Sequence, residues 1–183
     1  MVNKFLIFLI ALLMLASCSS CCVKSISFQN KKVSISNEIM KSSAAIVFRT
    51  PFGSSIVGSG TFVDVDFGKV LVTAQHVASI QDSPLGFLEA CSVIDLLDCV
   101  PLDRNYLSDQ SEALGSDWAV YRLSEFPVNA HSARVSQRLP SIGEEVYVSG
   151  FPQGHVPWIS HGHVAYVWNE HGHDLFGIDA FAF

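Results

Sequence analysis

The chain has 183 residues, of which 49% are hydrophobic and 15% charged, a composition that is typical of a packed domain and excludes a disordered chain. The formal net charge is −6, and the 11 basic residues form no run longer than Lys31-Lys32. A nucleic acid partner is therefore not expected, because binding to a phosphate backbone needs clustered lysine and arginine. A chain of this length can bury a sizeable core without a metal scaffold, and no cofactor is predicted.

The first element is an export signal. Lys4 precedes eleven apolar residues, 5–15, which are too few to span a bilayer as a helix and suit the core of a signal peptide. The Leu15-Ala16-Ser17 tripeptide before Cys18 resembles a bacterial lipobox. That resemblance implies a signal peptide over residues 1–17, lipidation of Cys18 and a lipid-anchored protein of the bacterial cell envelope, on the periplasmic or outer surface. An ordinary cleaved signal peptide, with an incidental cysteine, is the alternative.

Residues 18–37 are rich in serine, lysine and asparagine, and they are predicted to be a tether. Beyond the tether the chain holds Cys91 and Cys99, eight residues apart. In an exported protein these two cysteines can form a disulfide, and the spacing is not that of a zinc site. Two buried free thiols are the alternative.

After the tether the apolar residues come in short runs that are rich in valine, isoleucine, phenylalanine and tyrosine and are bounded by turn residues. The runs cover residues 44–48, 56–65, 69–73, 118–123, 145–148, 163–168 and 175–182. Many short strands with regular turns predict an all-β barrel or sandwich. Outside the signal segment no helical periodicity is found, although residues 77–80 could form one turn and residues 83–98 are ambiguous.

Two polar residues stand at the ends of apolar strands. His76 follows the run 70–74, whose rigid backbone would hold it as a general base requires. Asp117 heads the run 118–123, where a buried carboxylate needs a partner. The Nδ1–H of a histidine is a suitable partner, because the carboxylate then fixes the tautomer and stabilises the imidazolium. For each residue alone, a structural histidine and a turn-capping acid remain the alternatives.

In combination these segments resemble the trypsin-like serine peptidases, in the broad sense that includes the HtrA-type enzymes. The matching segments, in family order, are GSGTFV from Gly58, VLVTAQHV ending at Val77, SDWAVYRL ending at Leu123, GEEVYVSGFPQG from Gly143 and SHGHV from Ser160. The resemblance implies a double β-barrel, with a first barrel over 38–123, a linker over 124–139 and a partial second barrel over 140–183. It also implies a protein or peptide substrate, His76 as general base and acid, and Asp117 as the residue that orients it.

One part of the family pattern is missing. The nucleophile of these enzymes lies in a Gly-Asp/Asn-Ser-Gly-Gly motif, and no such motif occurs in the 183 residues. Loss of the oxyanion hole, which the same loop forms, would alone cost about 100- to 1000-fold in turnover. The sequence therefore predicts a serine endopeptidase-type protein that is C-terminally incomplete and lacks its serine. A catalytically inactive lipoprotein binding module on the same fold is the alternative.

Four of the seven histidines fall in two pairs, His161 with His163 and His171 with His173. Residues i and i+2 of a strand share a face, so each pair could chelate one metal ion. A histidine-based metal-binding envelope protein is therefore a further alternative. Because the spacing matches no zinc signature, these histidines are predicted to be polar turn residues without a metal.

Overall fold

The computed structural model describes residues 34–109, 117–151, 157–170 and 173–180. Its contacts divide the chain into two units, Met1–Asn37 and Glu38–Phe183. The predicted signal peptide, Cys18 and most of the predicted tether lie outside the described residues. None of the helices in the described ranges is long and apolar enough to cross a membrane.

Residues 34–42 form a helix, α1, that leads into the first strand. The sequence shows no helical periodicity here, because nine residues are too few to show a clear 3.6-residue period. Local contacts hold the second half of the helix. Lys41 lies 3.8 Å from the carboxylate of Glu38 in an i, i+3 pair. The hydroxyl groups of Ser42 and Ser43 donate to the carbonyl oxygen of Ile39.

Seven antiparallel strands form one curled sheet. They are β1 (Ser43–Thr50), β2 (Gly53–Val65), β3 (Gly68–Thr73), β4 (Phe87–Ser92), β5 (Cys99–Pro101), β6 (Tyr106–Asp109) and β7 (Trp118–Arg122). Their order across the sheet is β5-β4-β1-β2-β3-β7-β6. Gly68, the first residue of β3, has a φ of 121° directly after the turn from β2, a conformation that side-chain-bearing residues rarely adopt.

One face of this sheet carries the main core. Ile46, Phe62, Leu71, Leu88 and Tyr121 are fully buried there. Phe62 lies opposite Leu71 on the neighbouring strand, and Leu71 lies opposite Tyr121. Burial of a side chain of this size contributes about 1.5–3 kcal/mol relative to exposure. The centre of the sheet is therefore a rigid base for the loops at its ends.

A second sheet of three strands follows, in the order β10-β9-β8. Its strands are β8 (Glu145–Gly150), β9 (Trp158–Glu170) and β10 (His173–Ile178). A smaller core joins it to the outer face of the first sheet, where Phe151 packs with Ala45, Val47, Cys91 and Val93. Two short helices connect β3 to β4, namely α2 (Gln75–Ala78) and a 3-10 helix (Ser79–Asp82).

Some strands were found by their apolar runs and others were not. The runs beginning at residues 44, 56, 69, 118, 145 and 163 all became strands, and the run beginning at residue 175 lies in β10 up to Ile178. The turn of helix expected after His76 is also formed. The strands β4, β5 and β6 were not predicted. These three strands are short or lack clear alternation of apolar and polar residues, so their pairing with neighbours determines them.

The segment predicted as a linker is attached to the first sheet. The N–H of Ala133 donates to β2 at 2.7 Å, and a parallel bridge joins Ala133 to Val63. The carboxylate of Asp98 accepts the N–H groups of Val128 and Asn129 at 3.0 and 2.7 Å. Both β2 and Asp98 therefore hold the connection between the two sheets.

Candidate active site

The register of two strands brings His76 and Asp117 together. β3 and β7 are antiparallel, with Thr73 opposite Ala119, so the end of β3 lies beside the start of β7. His76 is the second residue of α2, which follows β3 after one residue. Asp117 directly precedes β7. Two residues that are 41 positions apart thus meet at one edge of the sheet.

Both oxygens of the Asp117 carboxylate bond to His76. The ring Nδ1 of His76 lies 2.6 Å from Oδ2, and the backbone N–H of His76 donates to Oδ1 at 3.0 Å. With Nδ1–H donating to the carboxylate, the neutral ring keeps its proton on Nδ1 and presents Nε2 as an acceptor. Within the described residues the ring of His76 has no other hydrogen-bond partner. The pair therefore has the geometry of a general base held by an orienting acid.

The pair is open to solvent, with the His76 side chain 68% and the Asp117 side chain 44% exposed. The expectation that Asp117 is buried was therefore wrong, although the expected bond to a histidine is present. The hydrogen bond from the His76 ring, followed by that from the His76 backbone, lowers the pKa of Asp117 below its usual value. Asp117 consequently stays ionised. Because the His76 side chain is exposed, an incoming group can reach its Nε2.

The Gly58-Ser59-Gly60 tripeptide of β2 packs under this site. A Cβ on Gly58 would lie 2.6 and 2.7 Å from the two γ-carbons of Val77, and a Cβ on Gly60 would lie 2.9 Å from a δ-carbon of Leu71. The carbonyl of Ser59 accepts the hydroxyl of Thr73 at 2.7 Å. The sequence showed this tripeptide as part of a resemblance, but it gave no sign of these contacts.

Ser59 also links the two sheets. Its Oγ accepts the backbone N–H of Phe151 at 2.7 Å, across 92 positions of sequence. A hydrogen bond between the hydroxyls of Ser43 and Ser149 joins the sheets nearby. Ser149 and Ser160, the latter buried, lie in strands of the second sheet, and neither bonds to the ring of His76.

Cys91 and Cys99 form a disulfide. The two residues face each other directly on the antiparallel strands β4 and β5. Beside them, Arg49 and Glu89 form an ion pair with an Nε to Oε2 distance of 2.6 Å. Of the two alternatives left open by the sequence, the structure contains the disulfide and not the free thiols.

His161 and His163 lie on β9 with ring centroids 5.6 Å apart. Nε2 of His161 lies 2.6 Å from Oε1 of Glu145, and the ring packs against that of Tyr147. The backbone N–H of His163 donates to Asp179, whose other carboxylate oxygen is 3.9 Å from Nδ1 of the same histidine. Each imidazole therefore has a carboxylate beside it. The spacing of the histidines did not predict these two carboxylate partners, Glu145 and Asp179.

The other two histidines of that alternative are not part of this cluster as described. His171 and the side chain of His173 lie outside the described residues. In the part of the chain that the structure describes, one group of three metal-type ligands converges, namely Glu89, Cys91 and Cys99. Two of these three are joined in the disulfide and are not free to bind an ion.

The two sheets and the loops at their junction define the class of fold, that of the trypsin-like serine proteases. The predicted all-β, trypsin-like fold is thereby confirmed, and three strands of the second barrel lie in the described part of the chain. No protein-family model matches the sequence, and none of the curated proteins matches it.

Solved structures that the chain resembles include HtrA-type and other trypsin-like serine proteases. Deg5 matches with a TM-score of 0.56 at 18% identity, over 85% of this chain and 75% of Deg5. The HtrA-type protease AlgW, solved with a decapeptide, matches with a TM-score of 0.52 at 16% identity, over 78% of this chain and 49% of AlgW. An inactive form of Rv3671c from M. tuberculosis H37Rv matches with a TM-score of 0.50 at 14% identity, over 78% of this chain and 64% of that protein. At these identities the similarity establishes the fold.

Proposed function

We propose that the chain is a serine endopeptidase-type domain in which His76 is the general base and acid and Asp117 is the residue that orients it. The observation that carries the proposal is the double hydrogen bond between these residues, at 2.6 and 3.0 Å, with Nε2 left open. When a serine hydroxyl lies at Nε2, the ring takes its proton as the oxygen attacks a peptide carbonyl. The ring then gives that proton to the leaving amine, while Asp117 stabilises the imidazolium.

The 183 residues contain the base and its orienting acid but no Gly-Asp/Asn-Ser-Gly-Gly motif. Hydrolysis therefore needs a serine, with its oxyanion donors, that this sequence does not supply. A catalytically inactive binding module on the same fold is the second candidate. AlgW has been solved with peptides, which favours a peptide or protein as the bound partner, but this chain spans only about half of AlgW.

Reaction with a fluorophosphonate probe tests the proposal. The 183-residue protein should not be labelled, because the probe needs an activated serine. If the reading frame that follows Phe183 encodes the missing motif, the longer product should be labelled. That labelling should disappear in His76→Ala and persist in the matched control His131→Ala, which removes an exposed loop histidine. Labelling of the 183-residue protein that depends on His76 would contradict the view that the serine is missing.

The same longer product separates the two candidates. An active enzyme hydrolyses a casein substrate and loses activity in Asp117→Asn, whereas an inactive module binds peptide without turnover. Absence of any serine motif downstream would favour the inactive module.

We also propose that Cys18 is acylated and anchors the chain in the bacterial cell envelope. The support is the order of charged residue, apolar core, small residues and cysteine in the sequence. Metabolic labelling with an alkyne fatty acid should mark the wild type and the control Cys22→Ser, and should fail for Cys18→Ser. A labelled Cys18→Ser variant in the membrane fraction would contradict this proposal.

Elemental analysis tests the histidine alternative. The ring distance of 5.6 Å between His161 and His163 would allow a shared ion, although Glu145 already bonds to His161. We expect no stoichiometric zinc in protein purified without chelator. One equivalent of zinc that is lost in the His161→Ala, His163→Ala double variant would instead favour a metal-binding protein.

A further inference from the structure

We infer that Gly58 is a positioning residue for the His76–Asp117 pair. The missing side chain at Gly58 lets Val77 and α2 lie where His76 reaches Asp117. The catalytic meaning of the pair rests on the proposed function, but its geometry does not. The inference therefore concerns a contact that can be tested without any peptidase activity.

The contact between Gly58 and Val77 leaves no room for a methyl group. A Cβ on Gly58 would lie 2.6, 2.7 and 3.2 Å from Cγ2, Cγ1 and Cβ of Val77. Because both methyls and the branching carbon are crowded at once, rotation of the Val77 side chain does not clear the space. Val77 is only 4% exposed and belongs to the main core, so it cannot swing outward. A side chain at position 58 would have to move the backbone of Val77.

Movement of Val77 is passed directly to His76, because the two are neighbours in a helix of four residues. The N–H groups of Val77 and Ala78 both donate to the carbonyl of Ala74, so this turn moves as a unit. Asp117 belongs to a different element, at the start of β7. A shift of α2 relative to β7 therefore lengthens both bonds of the pair.

Gly60 provides the matched comparison. A Cβ there would also meet atoms at 2.9 Å, but these are a side-chain carbon of Leu71 and the carbonyl oxygen of Val72, both in β3. A methyl group at either glycine would thus be similarly crowded, at Gly58 by α2 and at Gly60 by β3. Only the crowding at Gly58 falls on the helix that holds His76.

Nuclear magnetic resonance of Gly58→Ala tests the inference. In the wild type the Nδ1–H of His76 should give a resonance downfield of the backbone amides, because it donates to a carboxylate. In Gly58→Ala this resonance should be lost. Exchange of the His76 backbone N–H should become roughly 5- to 150-fold faster, the range expected when one extra methyl strains a packed site.

A rescue variant decides the outcome. The double variant Gly58→Ala, Val77→Ala removes both crowded methyls and should regain the Nδ1 resonance, and Val77→Ala alone and Gly60→Ala should keep it. The inference is overturned if Gly58→Ala keeps the resonance, if the double variant does not regain it, or if Gly60→Ala loses it equally. The results expected for these four variants do not depend on a serine or a substrate. If the proposed function fails, the same spectra are therefore still expected.

Discussion

A buried amide beside the candidate site gives the sharpest test of the packing. Gln81 lies in the 3-10 helix that follows α2, and it is 2% exposed. Its Nε2 donates to the carbonyl of Leu102 at 2.7 Å, and its Oε1 accepts the hydroxyl of Tyr121 at 3.1 Å. Gln81→Met keeps the length of the side chain and removes both bonds. Two buried polar groups then lose their partners, at about 1–3 kcal/mol each, so the free energy of unfolding should fall by about 2–6 kcal/mol.

Equilibrium unfolding in urea, with the disulfide intact, measures this loss against two partner variants. Tyr121→Phe leaves one orphan, Oε1 of Gln81, and should cost about 1–3 kcal/mol. The double variant Gln81→Met, Tyr121→Phe also leaves one buried group without a partner, the Leu102 carbonyl. In the Gln81→Met background, Tyr121→Phe should therefore be neutral or stabilising. A double variant that is less stable than Gln81→Met would refute this reasoning, as would equal costs for the two single variants.

Three further outcomes are expected. Asp117→Asn should move the neutral-ring proton of His76 from Nδ1 to Nε2, seen in the imidazole ¹⁵N shifts, because the amide offers a donor in place of a carboxylate oxygen. The pKa of Glu144 is lowered from 4.5 to about 2. The ionised carboxylate therefore stabilises the fold fully above pH 4.5, and this stabilisation is lost as the pH falls toward 2. Acid unfolding of Glu144→Gln should be less steep over that pH range. Replacing Cys91 and Cys99 by alanine should cost roughly 2.5 kcal/mol in urea unfolding and abolish the effect of a thiol reductant.

The sequence predicted the candidate pair because both residues carry a local mark. His76 ends an apolar strand and Asp117 begins one, and a polar residue at either place stands out against the pattern. Their separation of 41 residues is bridged by strand register, which follows from the apolar faces of β3 and β7. The sequence pattern does not predict how exposed a side chain is, and the Asp117 side chain is 44% exposed to solvent.

Contacts between distant segments had no such mark. Ser59 bonds to the backbone of Phe151 across 92 residues, and nothing in a serine between two glycines indicates that partner. The strand β4 was ambiguous because Phe87–Ser92 mixes apolar, acidic and small residues. Its place in the sheet is set by pairing with β1 and β5, which is information held elsewhere in the chain.

The Cys91–Cys99 disulfide has a consequence for survival among foreign proteases. Between the two cysteines the chain forms a closed ring on the surface, where Ile94 and Leu97 are exposed. Exposed loop tips are preferred sites of nicking. A cut inside this ring leaves both pieces covalently joined, so a nicked molecule would migrate as a single species until it is reduced. The strands on either side of the cut would stay paired, so the cut would not change the fold.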